Sequence, residues 1–303
     1  MSATTAKEVL VLSATARLRR LSDGWLGYLR RNLHVAIAGA ILIVVILVTV
    51  FAPIVAPYNP ATLDPVQRLM PPGSPHHLLG TDAYGRDLLS RIIWGGRISL
   101  IAGVIPAVAT MLIGFVLGIV SGYVGGMADA VIMAVMNVLL SFPFMLLAII
   151  LVAALGPSLR NAMLALVVSI APARVRVIRG EVLSWRSRPF LDAARALGFG
   201  PARLLFREIF PNVLPLGLAL VTIDVAIMMV GTAGLSFLGL GVQPPQSDWG
   251  SLISDGKDYL FGYGYLTLFP SIALGLVALA IAVVGDAVQD AFNPRLVADV
   301  RVK

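Results

Sequence analysis

The sequence predicts an all-α polytopic membrane protein with six transmembrane helices. Apolar residues make up 58% of the 303 residues, and mean hydropathy is +0.90. Only 13% of residues are charged, where a soluble domain carries about 25%. The apolar residues gather into six stretches, each close to the roughly 20 residues that a membrane-crossing helix needs.

The first stretch is His34 to Ala56, closed by Pro53 and Pro57. No small-residue cleavage site follows it, so it reads as a retained span and not a signal peptide. The second is Ser99 to Val120. The third, Val131 to Leu155, is interrupted at Ser141-Phe142-Pro143. The fourth, Ala162 to Val177, is short and contains Pro172. The fifth is Val213 to Leu240 and the sixth Leu266 to Val284. Pro and Gly inside spans are expected where helices pack on neighbours or line a cavity.

Arginine and lysine set the orientation. Residues 1–33 carry Lys7, Arg17, Arg19, Arg20, Arg30 and Arg31. Segment 178–212 carries Arg179, Arg186, Arg188, Arg195, Arg203 and Arg207, and the tail 291–303 carries Arg295, Arg301 and Lys303. Segment 241–265 has Lys257 alone against Asp248, Asp255 and Asp258. With six spans this places both termini and segment 178–212 in the cytoplasm of a cell-membrane protein. Loops 57–98 and 241–265 lie outside, and a five-helix core runs over 99–290. In loop 57–98 the arginines nearly balance the aspartates.

That external loop contains Gly80-Thr81-Asp82 and Gly85-Arg86-Asp87. Thr81 or Asp82 is suited to cap a helix running through Asp87 to Trp94. Leu88, Leu89, Ile92 and Ile93 give it an apolar side fit for the membrane interface. Asp82, Arg86 and Asp87 are candidates for an external gate or docking element; a cap and salt-bridge cluster that holds the loop is the alternative.

The chemistry of catalysis is missing. The nearest approach to a phosphate-binding G-x-x-x-x-G-K-[ST] loop is Gly250 to Asp258, with the wrong spacing and Asp258 in the last place. There is no cysteine, so no thiolate metal site and no disulfide. His76-His77 has no further ligands at metal spacing, and no metal is assigned. Asp224 is the one acid deep inside a span. Such residues face a cavity or a partner, so Asp224 either lines a pathway or bonds to neighbouring helices. Met228 and Gly231 follow on the same helical face and join it as pathway candidates, although ordinary helix packing explains them equally.

Between the spans lies one charged, Ala-rich segment, Phe190-Leu191-Asp192-Ala193-Ala194-Arg195-Ala196-Leu197-Gly198. Pro189 suits a first helical turn. Phe190, Ala194 and Leu197 form one apolar face, with Asp192 and Arg195 elsewhere. Gly198 suits the left-handed residue that ends a helix, and Pro201 opens another. On these residues alone, an arginine-rich helix lying on lipid remains open.

The segment strongly resembles the EAA loop of the inner-membrane permeases of binding-protein-dependent ABC importers, through Asp192-Ala193-Ala194, Gly198 and Ile209-Phe210-Pro211-Asn212. Within that group the chain resembles the dipeptide/oligopeptide/nickel branch. Gly122-Tyr123-Val124-Gly125-Gly126, Leu235 to Pro245, and Gly285-Asp286 through Leu296 carry the match further. The resemblance implies the type I importer permease fold and a coupling helix that sits in a groove of a separate ATPase. Phe190, Asp192, Ala193, Ala194, Arg195, Leu197 and Gly198 would make that contact: the apolar residues dock, the charges set register, and Gly198 turns the chain back. It also implies a second homologous permease, two ATPase subunits (or one fused or homodimeric ATPase) and an extracytoplasmic solute-binding protein. ATP and magnesium would sit on those partners and no cofactor on this chain. Beyond the lipid bilayer nothing calls for another partner, nucleic acid included. Substrates would be di- or oligopeptides, with nickel chelates, glutathione-like peptides or haem as rivals.

The family usually has Glu at Asp192, Arg and Asp at Ala134 and Asn137, and often Glu at Thr232. The last three departures bear on substrate contacts and not on the coupling segment. An ion-coupled secondary transporter would need coupling charges within its spans, and many carry an inverted repeat; only Asp224 is available. A membrane scaffold without transport is the other alternative. Adjacent genes for two ATPases, a second permease and a secreted binding protein would separate the importer from both.

Overall fold

The computed structural model describes residues 32–292. The basic positions of residues 1–31, together with Arg295, Arg301 and Lys303 of the expected tail 291–303, lie outside the described residues. Within them the chain is helical, with only two isolated bridges, Ser74 to His77 and Thr81 to Asp87.

Helix α1, Leu33–Val50, breaks at Phe51 and continues as a short turn over Ala52–Val55 with Pro53 near its start. Helix α2 runs from Leu88 to Ile119, about 48 Å at 1.5 Å per residue, and ends in a wide π turn over Val120–Val124. The expected interface helix at 87–94 is therefore the beginning of the second span. Its cap is neither Thr81 nor Asp82 but Asp87, whose carboxylate accepts the Ser90 N–H. Leu88 and Ile93 are buried in the protein, so that side faces the core and not lipid.

The third stretch forms two helices, α3 (Gly126–Leu140) and α4 (Phe144–Leu155), bent by 91° where Pro143 interrupts the chain. The fourth is not short. Helix α5 runs from Leu159 through Pro172 to Arg186, so Arg179 and Arg186, expected in segment 178–212, stand on the same helix as Arg174 and Arg176 and not in a loop. Helix α6, Pro189–Ala196, follows after two residues. A turn at Pro201–Arg203 and a π turn at Leu204–Ile209 then lead into α7, Phe210–Phe237. Helix α8, Trp249–Gly256, sits in segment 241–265, and α9 spans Tyr265–Phe292. Five of these helices are long and apolar enough to cross a membrane, or six if α3 and α4 count as one broken span.

Helices α2, α5 and α7 make the centre of the bundle. α5 lies along α2 through a row of glycines. A Cβ at Gly114 would come within 3.1 Å of the Arg174 Cβ, one at Gly118 within 2.8 Å of the Ile178 Cβ, and one at Gly122 within 2.9 Å of the Val182 side chain. Glycine every fourth residue lets the two backbones approach closely. One apolar cluster joins Ala107, Val152, Leu166 and Met228; another joins Met229, Trp249, Leu252 and Val277. The outer faces are apolar and exposed, Leu112 and Leu279 among them, as lipid contact requires.

Segment 241–265 is not a loose loop. Asp248 caps α8 by accepting the Ser251 N–H, and Ser251 reaches back to the Asp248 N–H. This is a capping box. Trp249 is buried, and its indole N–H donates to the Ile92 carbonyl. Burial pushes the Asp248 carboxyl above the ordinary carboxylate range, opposed by the Ser251 hydrogen bonds.

Candidate functional site

Helix α6 starts at the residues that favour a helix start. Arg188 is extended and Pro189 takes the first helical position. Its end is a Schellman turn. Gly198 N–H donates to the Arg195 carbonyl at 2.9 Å and Phe199 N–H to the Ala194 carbonyl at 3.1 Å, with Gly198 at φ +85°. Nothing lies within 4 Å of a Cβ built there, so the glycine is needed for its backbone angle and not for space.

One side chain anchors the helix. Leu191 is 0% exposed and packs with Met111, Ile178, Val182, Leu204, Ile209 and Val213. The expected docking face needs correcting here. Ala194 is half-buried and packs on that same cluster, so it belongs to the inward side. Phe190 is half-exposed, edge-on to the Trp185 ring at 6.3 Å. Leu197 is 76% exposed. Asp192, Ala193, Arg195 and Gly198 are exposed. Asp192 and Arg195 pair with each other at 2.6 Å, a surface contact of less than about 1 kcal/mol. The segment is framed by stacked cations, with Arg188 over Trp185 at 3.5 Å and Arg203 over Phe199 at 4.0 Å. Tyr123 O–H donates to the Pro201 carbonyl at 2.7 Å, tying the turn after α2 to this segment.

Three arginines in the second half of α5 are engaged with acids or amides of neighbouring helices. Arg174 makes a forked pair with Asp224, Nε to Oδ2 at 2.8 Å and Nη2 to Oδ1 at 2.5 Å. Arg179 forks onto Asp129 at the start of α3 at 2.6 and 2.7 Å. Ser121 also donates to Asp129. Arg176 donates to Asn137 at 2.8 Å. Asp224 is thus the acid bonded to a neighbouring helix, and it has no exposed surface. Met228 is buried in the α2–α4–α5–α7 cluster, and a Cβ at Gly231 would come within 3.1 Å of Leu166. The structure therefore places Met228 and Gly231 in helix packing. Thr232 is buried, and its hydroxyl donates to the Ala102 carbonyl at 3.4 Å.

The third candidate group sits at the opposite end of the bundle. Asp82 accepts from Arg86 Nε and Arg91 Nη1, each at 2.6 Å, and from the Tyr84 and Arg86 N–H groups. Arg91 also reaches Asp255 of α8 at 3.1 Å. Asp87 holds the Ser90 N–H and hydroxyl, and lies 2.9 Å from His77 Nδ1. His77 Nε2 lies 2.6 Å from Gln67 Oε1. Both ring nitrogens of His77 are occupied, and the described residues contain no cluster that could hold a metal. Asp82 and Arg86, with Arg91 and Asp255, form the salt-bridge cluster that fastens the loop and α2 to α8, while Asp87 caps α2 and holds His77. Sequence reasoning missed Leu191, Arg174, Arg91 and Asp255. Arg174 had a signal: a buried acid needs a cation at matching depth, and Arg174 is the deepest arginine of the neighbouring span.

Residues 114–298 match the family described as the binding-protein-dependent transport system inner membrane component. Residues 21–72 match the N-terminal transmembrane domain of oligopeptide transport permease C. The chain is 38% identical to a dipeptide transport system permease protein of Escherichia coli (strain K12), over 94% of this chain and 97% of that one. It is also 38% identical to a putative peptide transport system permease protein of Brucella suis biovar 1 (strain 1330), over 88% and 89%. A glutathione transport system permease protein of Pectobacterium atrosepticum is 34% identical over 96% and 97%. Among solved structures, an inward-facing form of the MetNI methionine ABC transporter superposes with a TM-score of 0.55 at 21% identity, over 68% of this chain and 98% of that one. That likeness gives the fold, an ABC importer type I permease. The helices, the matched family and the relatives agree, and the chain belongs to the inner-membrane permease components of binding-protein-dependent ABC transport systems.

Proposed function

We propose that this chain is one of two permeases forming the pathway of an ATP-driven peptide importer, and that α6 is where the ATPase acts on it. The carrying observation is the form of α6. It has one apolar anchor inward, an exposed Phe190, Leu197 and charged rim outward, and a glycine-dependent stop. A helix held by one side and offered by the other suits docking into a groove. The chain contributes no ATP chemistry; two ATPase subunits, a second permease and an external binding protein complete the machine. Both termini and α6 face the cytoplasm, and the Asp82–Asp255 end faces the binding protein.

Di- and oligopeptides are the proposed cargo, since the relatives at 38% identity are peptide permeases by name. Mass spectrometry of what the cognate binding protein retains tests this. A retained metal chelate or haem would overturn it, and a retained glutathione would narrow it to the cargo named for the relative at 34%.

The coupling role is tested at Leu197, because a charge at Ala194 would also disturb this chain's own core. Leu197→Glu is expected to abolish ATPase assembly, or to leave hydrolysis without uptake, while the spans insert normally. Normal coupled uptake in Leu197→Glu would sink the assignment.

A further inference from the structure

Helices α5 and α7 leave the two ends of the segment that carries α6. At about 1.5 Å per residue, Arg174 stands about 18 Å from the α5 end at Arg186, and Asp224 about 21 Å from the α7 start at Phe210. The pair therefore joins the two arms at matching heights above α6. Below it Ile178 and Val182 of α5 share an apolar cluster with Ile209 and Val213 at the start of α7, with Leu191 of α6 in the same cluster. Apolar contacts are non-directional and permit one arm to slide against the other. The forked guanidinium–carboxylate contact does not, because planar paired bonds fix distance and angle together. Replacing a buried ion pair by apolar residues is often neutral or stabilising, so stability alone does not account for this one. The later α5 arginines go elsewhere: Arg176 and Arg179 to α3, and Arg186 to the Gly122 carbonyl.

We infer that Arg174 and Asp224 are positioning residues for coupling: their pair pins α5 to α7 so that a push on α6 moves both arms as one body. This rests on α6 being the coupling helix. Asp224 is closed to cargo by its full burial against Arg174, so its role is mechanical and not substrate recognition. Without the pin, force delivered to α6 is dissipated as relative motion of the arms.

The chain has no cysteine, so it adds no background labelling of its own, and the partner subunits are used in cysteine-free form. Ser184 on α5 and Leu218 on α7 are exposed and suit labelling. The full importer, reconstituted with its ATPases, second permease and binding protein, is measured by electron–electron double resonance with and without ATP. The labelled parent is expected to give one narrow distance population in each state. Asp224→Asn is expected to at least double the width. It should also reduce the binding-protein stimulation of ATP hydrolysis at least tenfold, with unstimulated hydrolysis retained. The exchange Arg174→Asp with Asp224→Arg should recover at least half of both. If Asp224→Asn fails to assemble, Arg174→Lys keeps the charge but loses the fork, and should still broaden the distance. A narrow distance with full stimulation in the assembled single variants overturns the pin. A changed cargo preference at unchanged distance also overturns it and returns Asp224 to the pathway. Full stimulation in Leu197→Glu would instead overturn the coupling helix, independently of what the labels report.

Discussion

At the Asp82 end of the bundle, Arg91 touches Asp82 and Asp255, Arg86 touches Asp82, and Asp87 holds both Ser90 and His77. At the α6 end, a single buried leucine and a glycine turn hold an eight-residue helix whose charges stand in solvent. The first arrangement has nearly every charge bonded internally, so it fixes geometry and offers little to another molecule. The second spends few contacts on holding the helix, and its outer charges, Asp192 and Arg195, bond only to each other. With α6 as the proposed docking helix, the difference is that between a fastening and an interface, although both were charged motifs in the sequence.

The comparison predicts opposite responses to substitution. The largest effect belongs to Arg91→Ala, which strips a buried partner from Asp82. Breaking a buried pair costs about 3–5 kcal/mol, so thermal unfolding in detergent should fall sharply whether or not ATPase is present. An unchanged midpoint would erase the distinction between the two ends. Leu191→Ala comes next, at about 2–5 kcal/mol. It should free α6 from the bundle, visible as protease cleavage within 187–200 before global unfolding. Gly198→Ala strains a backbone at φ +85° by about 1–3 kcal/mol; here the loss should appear in ATPase binding more than in melting. Asp192→Asn with Arg195→Ala should leave the midpoint within about 1 kcal/mol and weaken only ATPase assembly. The smallest is Asp248→Asn. A folded-state pKa raised by burial makes the carboxylate a cost at neutral pH, relieved as pH falls through the raised value. Wild-type protein should therefore gain stability on mild acidification from this group. The Asn variant keeps an acceptor for the Ser251 N–H, lacks that gain, and should show a flatter dependence of midpoint on pH.

The helices were legible because lipid demands long apolar runs, and Pro189, Gly198 and Pro201 act through local backbone rules. What stayed hidden was which stripe of α6 faces inward. In eight residues, Phe190–Ala194–Leu197 and Leu191–Ala194 both satisfy helical spacing, and only α2, α5 and the start of α7 decide between them. Asp87 outcompeted Asp82 as the cap because Asp82 is held by Arg86 and Arg91. The Arg91–Asp255 contact joins residues 164 positions apart, beyond any local signal. Helix α5 outran its apolar stretch because Arg179 found Asp129 on α3 and Arg186 the Gly122 carbonyl, so neither had to stand in a loop.

The glycine row of α2 and the π turn after it also bears on how the protein is made. Gly114, Gly118 and Gly122 fit against Arg174, Ile178 and Val182, yet α3 and α4 are synthesised between the two faces. In chain order α2 therefore comes before its α5 partner, with two helices between them. The groove must be filled by lipid or by a temporary companion until α5 arrives and displaces it. Larger side chains at these glycines would therefore first appear as a defect of assembly order, with nascent chains stalled as separate helices and cleared by quality control, before any finished transporter could be assayed.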